Sequence, residues 1–234
     1  MTTINNHFID NQNVVIHCIE INKSNTGIPI IIIPGATNSA EELQEDLKDK
    51  LNHWHIIVSL RGRGKSGSPD KGYSLDDHAT DITAVIDFLG IGHYYLFGHS
   101  IGSTVGIRVA KLRPERVKGL ILGDFPPFFP PFDKSWADRV LQNPNIAISK
   151  AALYGLAKEG RYTDVSKDFA YISCPILLIR GGKKDSAFPG EQVPAFKKIA
   201  PNCQVETLDE SGHDIFRPEP EPLIDIILHF LNRI

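Results

Sequence analysis

Residues 94–111 read Tyr94-Tyr95-Leu96-Phe97-Gly98-His99-Ser100-Ile101-Gly102-Ser103-Thr104-Val105-Gly106-Ile107-Arg108-Val109-Ala110-Lys111, and this stretch decides the fold. Tyr94 to Phe97 has the aromatic and apolar composition of a buried strand. Ser103 to Lys111 reads as a helix that stops before Pro114. Between them lies Gly-x-Ser-x-Gly. A strand that turns sharply into a helix through this motif strains the serine backbone, and the flanking glycines leave room for neighbouring chain. The hydroxyl of Ser100 is then raised at the carboxyl end of a sheet, above a helix N-terminus whose N–H groups favour developing negative charge. Gly102 and Gly106 share one helical face, which predicts close packing of this helix on the strands. A bare motif also fits a glycine-rich turn with a solvated serine, so the rest of the chain must supply a base, an acid and oxyanion donors.

Working outward, strands and helices alternate. Val14 to Ile21 reads as a strand between turn residues Asp10-Asn11-Gln12-Asn13 and Asn25-Thr26-Gly27. Ile28-Pro29-Ile30-Ile31-Ile32-Ile33 is the signature of a strand buried on both faces, and Ser39 to Leu51 reads as the helix after it. His55 to Leu60 is a further strand, followed by the glycine-rich loop Arg61 to Pro69 and a helix over about Ser74 to Leu89. Beyond the Ser100 helix come strands at Val117–Leu122, Pro175–Ile179 and Gln204–Leu208, a short helix near Val193–Ile199, and a closing amphipathic helix over about Pro222–Asn232. This alternation argues an α/β fold with a mostly parallel sheet and helices on both faces. The pattern breaks at Asp124-Phe125-Pro126-Pro127-Phe128-Phe129-Pro130-Pro131-Phe132, whose prolines forbid a regular helix or an interior strand, and only weakly helical stretches follow from about Lys134 to Tyr171.

Composition excludes several classes. The 234 residues suffice for one large core, and a net charge of −3 gives no electrostatic case for nucleic acid or an anionic membrane. The start lacks the basic and apolar regions of a signal peptide, and no apolar run is long enough to cross a bilayer, so a cytoplasmic location is expected. Cys18, Cys174 and Cys203 are too scattered for a disulfide framework or a zinc site, and are expected as reduced thiols. Gly64-Lys65-Ser66 imitates the end of a phosphate-binding loop, but Ser59 stands where that motif needs its first glycine, and a proline turn follows instead of a helix. Nucleotide binding is rejected.

Five stretches in this order resemble the α/β-hydrolase family, over nearly the whole chain: Pro34-Gly35-Ala36, the Arg61–Pro69 loop, Gly98–Gly102, Gly181–Asp185 after a late strand, and Ser211-Gly212-His213 before the last helix. The resemblance implies a single domain over 1–234 with a short cap inserted at 124–171. It implies Ser100 as nucleophile and His213 as base, a role that suits imidazole because its ordinary pKa lies near neutrality. Two carboxylates compete for the acid. Asp185 occupies the commoner family position, in Gly-x-x-x-Asp after the penultimate strand, and is favoured. Asp124, closing the strand after the Ser100 helix, matches the alternative. The oxyanion donors implied are the Ile101 N–H and that of Ala36, with Thr37 as the alternative. Pro34 stands where most relatives have histidine, and Ser59 where many carry aspartate.

His99 fills the variable position of the motif and is expected to be structural, while His53, His55 and His78 are expected as surface or packing residues. The cationic loop Arg61–Lys65 is read as a turn shaped by Gly62 and Gly64, not as a substrate site. Phe125, Phe128, Phe129, Phe132 and Trp136 are candidates for an apolar substrate pocket, and equally for packing the cap. The expected activity is a serine hydrolase that needs no cofactor or metal and cleaves a small, largely apolar ester, thioester or lactone through an acyl-enzyme. Carbon–carbon hydrolysis, perhydrolysis or a lyase-like step on the same triad are alternatives, as is a binding receptor with little turnover. The expected partner is a small molecule, with no nucleic acid or membrane; the oligomeric state is open.

Overall fold

In the computed structural model, residues 2–25 and 27–234 are described. Met1, and Thr26 of the turn at 25–27, lie outside them. Eight strands form one sheet: β1 (Ile4–Asn11), β2 (Val14–Ile21), β3 (Ile30–Ile33), β4 (His55–Val58), β5 (Tyr94–His99), β6 (Val117–Gly123), β9 (Ile176–Gly181) and β10 (Gln204–Leu208). Their order is β1-β2-β4-β3-β5-β6-β9-β10. The β1–β2 and β2–β4 pairs are antiparallel and every other pair is parallel.

The isoleucine run explains why β3 is central. Ile31 and Ile33 join one apolar cluster with helices α2 (Leu75–Phe88) and α3 (Ile101–Leu112); Ile30 and Ile32 join the other with α1 (Ala40–Leu47) and α7 (Glu221–Leu231). Alternate side chains of one strand thus seed two cores on opposite faces. Helices α1 and α2 begin where expected because Ser39 with Glu42, and Ser74 with Asp77, form reciprocal capping boxes. The Ser59 hydroxyl accepts from the Ala40 N–H at 2.8 Å and so ties the end of β4 to the start of α1.

Two elements differ from the sequence reading. β1 is a strand that the pattern did not announce; it joins β2 through Gln12 and Asn13, both at positive φ (54° and 66°), as a tight hairpin requires. The segment between β6 and β9 contains more than weak helices. Strands β7 (Phe128–Phe129) and β8 (Thr163–Asp164) pair antiparallel, with α4 (Lys134–Val140) and α5 (Lys150–Glu159) between them and a 3-10 turn over Ser166–Tyr171. The same segment is tied to the glycine-rich loop: the Gly64 N–H donates to Ala147 O at 2.8 Å, the Ser149 N–H donates to Gly62 O at 2.8 Å, and Arg63 bridges Ile148. No helix among the described residues is long and apolar enough to cross a membrane.

Candidate active site

β5 ends in His99, and Ser100 sits at φ 55°, ψ −129° before α3 begins at Ile101. A non-glycine residue at such a φ is strained, and the neighbours hold it there. The Ser100 N–H donates to Gly123 O at 2.8 Å. A Cβ at Gly98 would run into Gly102 O, and one at Gly102 into Ile33 O, so both glycines are required by close backbone approach. Gly106 is different. A Cβ there would meet Leu120 Cδ1 at an ordinary 3.6 Å, so the expected tight contact on that turn of the helix is not needed.

His213, on the loop between β10 and α7, places Nε2 3.0 Å from Ser100 Oγ. Its Nδ1 lies 2.9 Å from Oδ2 of Asp124. With Asp124 ionised, Nδ1–H is the donor, leaving the Nε2 lone pair to accept from the Ser100 hydroxyl. The carboxylate on the histidine is therefore Asp124, which corrects the preference for Asp185. Asp124 follows β6, the direct neighbour of β5, and its own φ of 47° turns it out of the strand line. The loop after β9 does not supply the acid but surrounds it. Gly181 N–H (2.9 Å) and Ser186 Oγ–H (2.5 Å) donate to Asp124 Oδ1, and the Ala187 N–H (2.8 Å) donates to Oδ2. Burial would raise the Asp124 pKa, but the hydrogen bonds from His213, Ser186, Gly181 and Ala187 outweigh it and hold the carboxyl below its usual range. Asp185 is exposed, with its carboxylate lodged against the Cα of Gly212.

The cleft over Ser100 has a volume of about 730 Å³ and is lined by Gly35–Asn38, His99, Ile101, Phe125, Pro130–Asp133, Trp136, Arg139, Val140, His213 and Asp214. The loop after β3 passes so close that a Cβ at Gly35 would meet Ser100 Cβ at 3.3 Å. Ala36, Thr37 and Ile101 N–H take no hydrogen-bond partner among the described residues, which leaves all three as candidate oxyanion donors. Of the aromatic candidates, Phe125, Phe132 and Trp136 line the cleft. Phe129 does not: it is fully buried in the core beside His78, at 6.0 Å between ring centres. Phe128 packs between Phe125 and Tyr162, away from the cleft.

Residues 28–143 match the family model described as alpha/beta hydrolase fold. The chain has the α/β-hydrolase fold. It is 35% identical over 113 residues to a 2-(acetamidomethylene)succinate hydrolase of Mesorhizobium japonicum, a stretch covering 47% of this chain and 40% of that protein. It is 25% identical to an N-formylmaleamate deformylase of Pseudomonas putida, over 81% of this chain and 83% of that one. Among solved structures, an E-2-(acetamidomethylene)succinate hydrolase superposes with a TM-score of 0.78 over 98% of this chain and 100% of the other, at 22% identity, a likeness of fold. These relationships support an enzyme.

Within this fold, two contributors to the site, Ser186 and Arg139, escaped the sequence reading, and His99 has the structural role expected of it. Ser186 clamps Asp124, and its position next to the competing Asp185 masked it. His99 places Nε2 2.8 Å from the His213 carbonyl; burial pushes its pKa down to about 4, so it holds the histidine loop as a neutral ring. Arg139 enters the cleft from α4, and its side-chain hydrogen bond among the described residues is to Ser135 Oγ at 3.1 Å. Arg61 and Arg63, by contrast, turn inward and are buried, in keeping with a loop that is shaped rather than substrate-facing. Arg61 forms a two-pronged pair with buried Asp81, at 2.6 and 2.7 Å.

Proposed function

We propose that this chain is a cofactor-independent serine hydrolase acting through an acyl-enzyme on a small, largely apolar ester, thioester or lactone. The observation that carries this reading is the continuous relay from Ser100 Oγ to His213 Nε2 (3.0 Å) and from Nδ1 to Asp124 (2.9 Å), at the floor of a cleft bordered by unengaged backbone N–H groups. In the reaction Ser100 Oγ attacks the carbonyl carbon as its proton passes to His213 Nε2. The oxyanion that forms is met by the Ile101 N–H and by that of Ala36 or Thr37. Asp124 fixes the imidazole tautomer and faces the imidazolium, which returns its proton to the leaving group; water then repeats the sequence on the acyl-enzyme. Segment 124–171 acts as a short cap, with Phe125, Phe132 and Trp136 offering apolar surface to the acyl part.

A second reading is favoured by Arg139. A guanidinium in the cleft with no carboxylate within 4 Å among the described residues suits a substrate that carries its own carboxylate, as the substrates named for the two sequence relatives do. On that reading the scissile bond is an amide of a small unsaturated acid.

A fluorophosphonate followed by peptide mapping tests the machinery, with label expected on Ser100 alone. Label on Ser103 or Ser66, or none on folded protein, overturns it. Comparing nitrophenyl acetate and butyrate, a γ-lactone and an N-acyl enamide of a dicarboxylic acid then separates the two substrate classes.

A further inference from the structure

Arg63 is fully buried, yet no carboxylate lies within ion-pair distance of it among the described residues; the nearby Asp81 is taken by Arg61. Its Nε donates to Ala36 O at 2.8 Å and its Nη1 to Arg61 O at 2.6 Å. Nη1 also lies 3.3 Å from His78 Nε2. His78 Nδ1 is 2.7 Å from Ser74 O, so Nδ1 carries the proton and Nε2 accepts. Burial pushes His78 down to about 3, keeping the ring neutral and hence a compatible neighbour for a cation. Nη2 has no partner. A charge left this exposed to desolvation costs stability, and hydrophobic replacements of such groups are often neutral or better. Burial pulls Arg63 down to about 9, which still leaves it charged at neutral pH.

Its place gives that charge a use. Ala36 lines the cleft, and Arg63 grips Ala36 from behind without lining the cleft itself. In a trans peptide the C=O and N–H point in opposite directions. Holding the Ala36 carbonyl therefore fixes the direction of the Thr37 N–H away from Arg63 and restrains the loop that carries the Ala36 N–H. We propose that Arg63 is a positioning residue for the oxyanion loop, holding the Ala36 carbonyl and placing an uncompensated positive charge behind the N–H groups that meet the anion. The proposal rests on Ser100 acting as nucleophile.

The test uses Arg63→Met and Arg63→Lys in the full chain. Circular dichroism and Tm check the fold, and active sites are counted by fluorophosphonate labelling. Two readouts follow: kcat and KM for nitrophenyl acetate, and inhibition by phenylboronic acid, which becomes a tetrahedral anion on the serine. Losing a direct oxyanion donor costs about 10²–10³ in kcat, so loss of its support in Arg63→Met is expected to cost about 10–100-fold. KM should stay within about threefold while boronate affinity falls in step with kcat, as for an interaction made only with the transition state. Arg63→Lys, which keeps the charge, should recover part of both. Unchanged kcat, a loss with wild-type boronate affinity, or a lysine variant no better than methionine overturns the proposal. If Arg63→Met does not fold, Arg63→Lys decides alone: a joint fall in kcat and boronate affinity at constant KM supports the role, and any other result overturns it. A wild-type protein that neither turns over ester nor binds boronate removes the hydrolase reading itself, and this proposal with it.

Discussion

Two strand ends of this molecule offer a carboxylate in the neighbourhood of His213, and only one is wired to it. After β6, Asp124 has no exposed surface and takes four hydrogen bonds, from His213, Ser186, Gly181 and Ala187. After β9, Asp185 is exposed and makes no side-chain hydrogen bond among the described residues. The difference lies in backbone, not in residue type. The loop carrying Asp185 aims its own N–H groups at Asp124, so it is built to receive a carboxylate rather than to provide one. A buried anion needs such donors, since an isolated buried charge is costly.

The comparison is broken or upheld most sharply by turnover. Asp124→Asn should leave the fold in place and cut kcat for a nitrophenyl ester by about 10⁴-fold, because the wrong imidazole tautomer becomes favoured. Asp185→Asn should stay within about twofold, in the range of a surface change. The reverse ranking would return the acid to β9.

The second expectation concerns acid. Asp124 is held below its ordinary range in the folded chain, so the stability it contributes is whole above about pH 4 and is lost as the pH falls through its lower folded value. Asparagine at 124 does not titrate. The Tm deficit of Asp124→Asn should thus be largest near neutrality and shrink below about pH 4; a deficit constant down to pH 3 would deny the depressed pKa.

Smaller still, Ser186→Ala removes one short bond to a charged partner and should cost about 1.5–3 kcal/mol in urea unfolding, with turnover falling far less than in Asp124→Asn. The least effect belongs to Gly212→Ala. Its Cβ would displace the Asp185 carboxylate, the free end of an exposed side chain, so stability should change by no more than about 0.5 kcal/mol. A large loss of activity in that variant would show that Asp185 matters where it lies.

Much of the architecture was legible in the sequence because burial writes itself into composition. Four consecutive isoleucines serve two cores at once, and the Ser39 and Ser74 capping boxes mark helix starts in plain residue types. β1 was not legible: its outward residues include Ile4 and Phe8, which blur the alternation of an edge strand. Nor were β7 and β8, two residues each, held by backbone bonds such as that from the Val165 N–H to Pro127 O at 3.0 Å. Ser100 and His213 could be read from their motifs. The choice between Asp124 and Asp185 could not, since the donors that decide it include the main chain of Gly181 and Ala187, which any sequence would possess. Phe129 and Phe132 were likewise indistinguishable in a proline run without periodicity, yet one is core and the other faces the cleft.

The backbone ties joining residues 62–64 to 147–149 bear on how this chain can vary in length. They fasten the chain just after α4 to a loop that also holds Ala36, while the chain just before α4 is fastened by the β7–β8 pair. Between these anchors α4 has a single fully buried residue, Ala137, and presents Trp136, Arg139 and Val140 to the cleft. Residues added or removed around the turn at 141–146 would reshape that wall while leaving Ser100, His213 and Asp124 in register. A lineage of such chains could therefore trade one substrate for another by insertion and deletion there, with the chemistry inherited unchanged.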